Sequence, residues 1–179
     1  MLGLGNTLGR QSTPLSSAPV GFDKKWSFDS DTEGWIGLNS SIISYSASHT
    51  PSSDVEKTGI LVVTEANKSQ DQGFVFDLST LASENFDNTQ AVYYQIVYSL
   101  PSTGEFTALD KVKYGSDGSF VDHTNETVFN WDSWVTVTGE LLNSGSNDLF
   151  SVEFDPFASS NLGDKIYVDS VRISHTDFR

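Results

Sequence analysis

No cysteine occurs among the 179 residues. Disulfides, zinc–thiolate centres and cysteine nucleophiles are therefore excluded. Basic residues are scarce too: 10 Lys and Arg stand against 24 Asp and Glu, a formal charge of −14. Such a chain repels phosphate backbones, so no nucleic acid is an expected partner, and no membrane, since an anionic surface is disfavoured for the same reason. No apolar run is long enough to span a bilayer, and residues 1–21 lack the basic leader and apolar stretch of a secretory signal. A glycine-rich phosphate cradle has no helix to lead into. The histidines, His49, His123 and His175, sit in separate polar segments without a nucleophile motif, which argues against an enzyme. With 24 acids, one carboxylate pair near glycosidase spacing arises by chance.

What is abundant is aromatic surface: 12 Phe, 6 Tyr and 4 Trp. That supply of burial excludes disorder, and the length suits one domain whose core needs no covalent staple. The chain reads as an arm and a body. Residues 1–22 are rich in Gly, Ser, Pro and Thr, with apolar points at Leu2, Leu4, Leu8 and Leu15 and no helical or strand period. They predict an extended N-terminal arm that docks on a neighbouring subunit. Residues 23–179 alternate in the period of two that marks a half-buried strand. Strands are expected near 24–29, 35–38, 41–46, 59–65, 73–78, 91–99, 106–114, 119–123, 134–141, 149–155 and 166–174. A hairpin turn is expected at 114–119, where Asp117-Gly118 tolerates positive φ. One helical turn is expected at 78–85, capped by Ser79 or Thr80. Tyr94, Ile96, Tyr98 and Leu100 share a core face; Tyr93, Gln95 and Val97 oppose them. The fold class is all-β, an antiparallel sandwich.

Four landmarks occur in order: Trp26-Ser27-Phe28-Asp29 then Gly34-Trp35; Gly59-Ile60-Leu61-Val62-Val63-Thr64; Trp134 to Leu141; and Lys165-Ile166-Tyr167-Val168-Asp169-Ser170-Val171-Arg172-Ile173. Over residues 24–175 this order resembles the jelly-roll carbohydrate-binding modules attached to cellulases and xylanases. The resemblance implies a jelly-roll β-sandwich and a structural Ca2+ ion held by acids at the positions of Asp29 and Asp169. The residues themselves leave Asp169 open. Alternation puts it on one face with Tyr167, Val171 and Ile173, where a carboxylate needs a metal or a cationic partner. The alternatives are a bulge that turns it to solvent, or pairing with Lys57 or Arg172. The run Asp29-Ser30-Asp31-Thr32-Glu33-Gly34 matches half of an EF-hand loop, but Ser40 stands where the closing Glu belongs, so a solvated acidic turn is expected.

The opening Met1-Leu2-Gly3-Leu4-Gly5-Asn6 is similar to the start of short virion proteins of marine tailed bacteriophages. Together the two resemblances imply a non-catalytic virion structural protein. It would be a capsid decoration or tail/fibre component located in the virion, with other virion proteins (capsid or tail subunits) as partners of the arm. The alternative is a glycan-binding module with no virion role. For surface glycans, Tyr93 and Gln95, with Trp35, Tyr114 and Trp131, are the candidate stacking and hydrogen-bonding residues.

Overall fold

The computed structural model describes residues 21–67, 69–103, 106–115, 120–122, 131–142, 147–156 and 162–179. The arm, with Leu2, Leu4, Leu8 and Leu15, lies outside them, as does the tip of the 114–119 turn. The described chain forms β1 (Asp23–Trp26), β2 (Ile36–Leu38), β3 (Ile42–His49), β4 (Lys57–Thr64), β5 (Gln72–Asp77), a 3₁₀ helix (Leu78–Glu84), β6 (Val92–Ser99), β7 (Phe106–Tyr114), β8 (Phe120–Asp122), β9 (Val135–Leu141), β10 (Leu149–Pro156) and β11 (Lys165–Ser174). Each expected strand is present within a few residues. The helical turn is capped by Asp77, whose carboxylate accepts from the Ser79 amide, not by Ser79 or Thr80. An acid one residue before the turn reaches its unpaired N–H better than a hydroxyl inside it.

The strands build two sheets in which every pairing is antiparallel. One runs β3-β4-β11-β6-β9, with β1 also on β11; the other runs β2-β5-β10-β7-β8. One edge of β11 is shared: β4 pairs with Lys165–Val168 and β1 with Val171–Ser174. Against β6 on the other edge, the register jumps between Val168 and Ser170. Asp169 is thus the extra residue of a bulge at the point where β4 gives way to β1. The bulge flips the phase of the strand. Ile166 and Val168 face the core before it, Val171 and Ile173 after it, and all four are fully buried. The expected single face of Tyr167, Asp169, Val171 and Ile173 therefore does not exist.

The sheets pack through inward-facing aromatic residues. Trp26 and Trp35 lie at the centre with ring centroids 5.3 Å apart, edge to face, and Trp35 also meets Phe74 at 5.1 Å and Phe76 at 5.2 Å. Such edge-to-face contacts match the charge distribution of the rings.

A strap covers part of the outer face of the six-stranded sheet. Residues 50–56 leave β3 at one edge and reach the segment that enters β9 at the other. There the Ser53 amide donates to the Asp132 carbonyl at 2.9 Å. The Trp134 amide donates to Asp54 Oδ2 at 3.0 Å and its indole N–H to the Val55 carbonyl at 2.9 Å. Beneath the strap, the outward-facing Val97 and Ser99 are buried. At its root His49 stacks on Tyr167, centroids 3.5 Å apart and planes within 4°. Burial pushes the His49 pKa below the ordinary histidine value, while Asp132 pulls it up less strongly. The unfolded chain then binds more protons than the folded one just below pH 6.5, and stability falls as pH falls through that window. From about pH 7 to 5 the melting temperature of the wild type is expected to fall more steeply than that of His49→Phe. Parallel profiles would mean that His49 is not held neutral by its surroundings.

Candidate functional site

The five-stranded sheet presents an outer face whose composition follows from alternation and register. Phe150, Val152 and Phe154 point inward from β10, so Ser151 and Glu153 point out. Cross-strand partners share a face, and the pairings align Ile36, Val75, Ser151, Lys113 and Phe120 in one row. A second row holds Leu38, Gly73, Glu153 and Lys111. Gly73 is obligatory, because a Cβ there would lie 1.9 Å from the Val152 carbonyl oxygen. The middle of the face is recessed: Val75 and Ser151 are each 8% exposed and Glu153 5%, whereas Ile36 and Phe120 at the margins reach 62% and 47%.

Charge is concentrated in that recess. Lys113 Nζ lies 2.7 Å from Glu153 Oε2, and Ser151 Oγ donates to Glu153 Oε1 at 3.4 Å. Lys111 Nζ lies 2.5 Å from Asp110 Oδ2 and 3.6 Å from Asp71 Oδ2. Oxygens of Asp71, Asp110 and Glu153 all fall within 4.8 Å of one another. The hydrogen bond from Lys111 to Asp110 is the main cause that raises the lysine's pKa. Burial raises that of neighbouring Asp155, and the charges of Asp71 and Asp110 add to it. Asp110 reaches this face through a second bulge. The register passes from Leu109 opposite Phe154 to Lys111 opposite Glu153, leaving Asp110 as the extra residue. Strict alternation would have set it on the core face with Val112 and Tyr114.

No protein-family model matches the chain, and no curated protein sequence matches it. Solved structures do match. The CBM22-1 xylan-binding domain of Paenibacillus barcinonensis Xyn10C aligns with a TM-score of 0.58 at 15% identity, over 88% of this chain and 96% of that one. Another CBM22 xylan-binding domain gives 0.58 at 15%, over 90% and 100%. The CBM22-1–GH10 modules of the Clostridium thermocellum xylanase 10B, complexed with xylohexaose, give 0.56 at 14%, covering 87% of this chain and 28% of that longer one. The fold is that of a jelly-roll carbohydrate-binding module.

Within this jelly roll the residues singled out from the sequence do not converge. Trp35 and Tyr114 are core residues, 1% and 0% exposed, and offer no ring face to a sugar. Their positions next to turns suggested exposure, but both rings point between the sheets. Tyr93 and Gln95 lie on the outer face of the other sheet, as alternation required. There the Arg179 guanidinium sits 5.0 Å above the Tyr93 ring, tied to Glu140 at 3.2 Å. Trp131 is 38% exposed on the segment before β9.

Of the acids expected to hold calcium, Asp169 has a cationic partner. Asp169 bonds Lys57 Nζ at 3.1 Å and accepts from Ser170 Oγ at 3.0 Å, so a cation there would have to displace an ammonium group. Asp29 Oδ1 and the carbonyls of Ser27 and Phe28 converge on Gly59, within 3.1 Å of where a Cβ would stand. The segment Asp29–Gly34 is a turn: the Glu33 amide donates to Asp31 Oδ1 at 2.6 Å and the Trp35 amide to the Thr32 carbonyl at 3.0 Å. Sequence reasoning missed Asp71, Asp110, Lys111, Lys113 and Glu153. The signal was there for three of them, as polar residues alternating with apolar ones in Lys111-Val112-Lys113-Tyr114 and Val152-Glu153-Phe154.

Proposed function

We propose that this chain is a non-catalytic glycan-binding module whose ligand lies along the outer face of the five-stranded sheet. The observation that carries the reading is the recessed network of Asp110, Lys111, Glu153 and Lys113 across the middle of that face. Carboxylates and ammonium groups held by one another keep spare lone pairs and N–H bonds for sugar hydroxyls, and need little reordering on binding. Phe120 and Ile36 at the margins supply apolar surface for the C–H faces of pyranose rings. The opposite sheet is a poorer platform, since the strap and the Arg179 side chain lie over it. Both described histidines serve packing: His49 stacks on Tyr167, and His175 accepts from the Asp87 amide at 3.1 Å while its other nitrogen meets the Ala91 carbonyl at 2.9 Å. The likeness to xylan-binding domains supports a glycan-binding-like fold and adds nothing to the virion reading.

The test is retention of the full chain on insoluble neutral polysaccharides, xylan included. Glu153→Gln keeps shape and hydrogen bonding but loses the charge, and is expected to weaken retention at least about tenfold with an unchanged melting temperature. No retention of the wild type on any polysaccharide would sink the reading. Equal retention of both proteins would move the ligand off this face.

A further inference from the structure

Among the described residues five strands have one unpaired side, and they are not alike: β1 is four residues long and carries Asp23, Lys24 and Lys25. β2 and β8 are three residues long. β9 carries Glu140, tied to Arg179. β3 is eight residues long, Ile42-Ile43-Ser44-Tyr45-Ser46-Ala47-Ser48-His49, and pairs with β4 in unbroken register from Ile42 to His49. Among the described residues no strand pairs with its other side. It holds no Asp, Glu, Lys, Arg, Pro or Gly and no bulge, the devices by which sheet edges are ordinarily protected. Its exposed side chains are small apart from Ile42, 61% exposed, and Tyr45, 38% exposed. Every other strand of eight or more residues contains a charged residue or lies inside a sheet.

We infer that β3 is the surface through which two copies of this chain associate, edge to edge about a two-fold axis, joining their six-stranded sheets. The occupant is a second copy for two reasons. A chain of charge −14 repels its own kind over most of its surface, and β3 is an uncharged strip along which that repulsion is least. The strand is also self-complementary about Tyr45. Antiparallel pairing centred there sets Tyr45 opposite itself, Ser44 opposite Ser46 and Ile43 opposite Ala47, so small residues face small or apolar ones throughout. Such pairing is isologous and closed, which leaves a dimer and no exposed end of that kind.

The absence of cysteine makes the test clean. The full chain is expected to sediment at twice its monomer mass. Tyr45→Lys would set like charges directly across the axis and is expected to sediment as a monomer, with a far-ultraviolet spectrum like that of the wild type. Tyr45→Cys is expected to form a covalent dimer under mild oxidation, whereas Thr138→Cys on β9 remains monomeric. A wild type that stays monomeric up to about 200 µM would overturn the inference. So would a dimer that survives Tyr45→Lys, or one that cross-links through Thr138→Cys instead.

Discussion

Trp35→Ala is expected to lower the unfolding free energy by about 3–5 kcal/mol, the cost of emptying a large aromatic site in a packed core. On a chain of this size that corresponds to a fall of about 6–20 °C in melting temperature. The ring is 1% exposed and touches Trp26, Phe74, Phe76 and Phe150, which belong to three different strands and both sheets. A cavity there cannot be closed by one neighbour moving. Trp35→Phe should cost far less. The indole Nε1 is buried without a hydrogen-bond partner, so removing it relieves a polar group as well as opening space. Trp131→Ala, at a site 38% exposed, should leave the melt within about 2 °C of the wild type. Thermal melts of the three variants check the order. A Trp35→Ala protein that melts with the wild type would place the ring outside the core and restore it as a stacking platform.

Lys113→Met is expected to destabilise by about 3 kcal/mol, because it leaves the Glu153 carboxylate almost without water and without its ammonium partner. Glu153 has a side-chain exposure of 7%, against 38% for Lys113, so the penalty is asymmetric. Removing the carboxylate instead strands a lysine that can turn to solvent, which is why Glu153→Gln serves as a folded probe of binding. The double variant Lys113→Met/Glu153→Leu should recover to within about 1 kcal/mol of the wild type, since it removes both charges from a recessed site. Urea unfolding of the two singles and the double measures the coupling. If the double were as unstable as the sum of the singles, the pair would not be the structural unit inferred from its 2.7 Å contact.

Two bulges carry the same lesson. In β11 and in β7, an aspartate interrupts an apolar alternation: Asp169 among Val168, Val171 and Ile173, and Asp110 beside Leu109 and Val112. An ionised carboxylate is too costly on a core face, and the chain resolves the conflict by shifting register so that the acid leaves that face. Each then lies beside a lysine, Lys57 for Asp169 and Lys111 for Asp110. Alternation alone put Asp169 on the core face; a carboxylate out of phase with its strand is better read as the mark of a bulge.

Strand positions were legible because the period of two and the turn residues between runs are local properties, felt within a few positions along the chain. The core was legible for the same reason at Tyr94, Ile96, Tyr98 and Leu100. The candidate site was not. Lys111 and Glu153 stand 42 positions apart in the chain and meet only because β7 and β10 pair in one register, and a shift by a single residue would turn either side chain to the opposite face. Likewise, nothing local to Trp35 or Tyr114 says that a second sheet will close over them. Backbone periodicity is written residue by residue, whereas convergence is set by which strand lies beside which, and that is decided by packing of the whole sandwich.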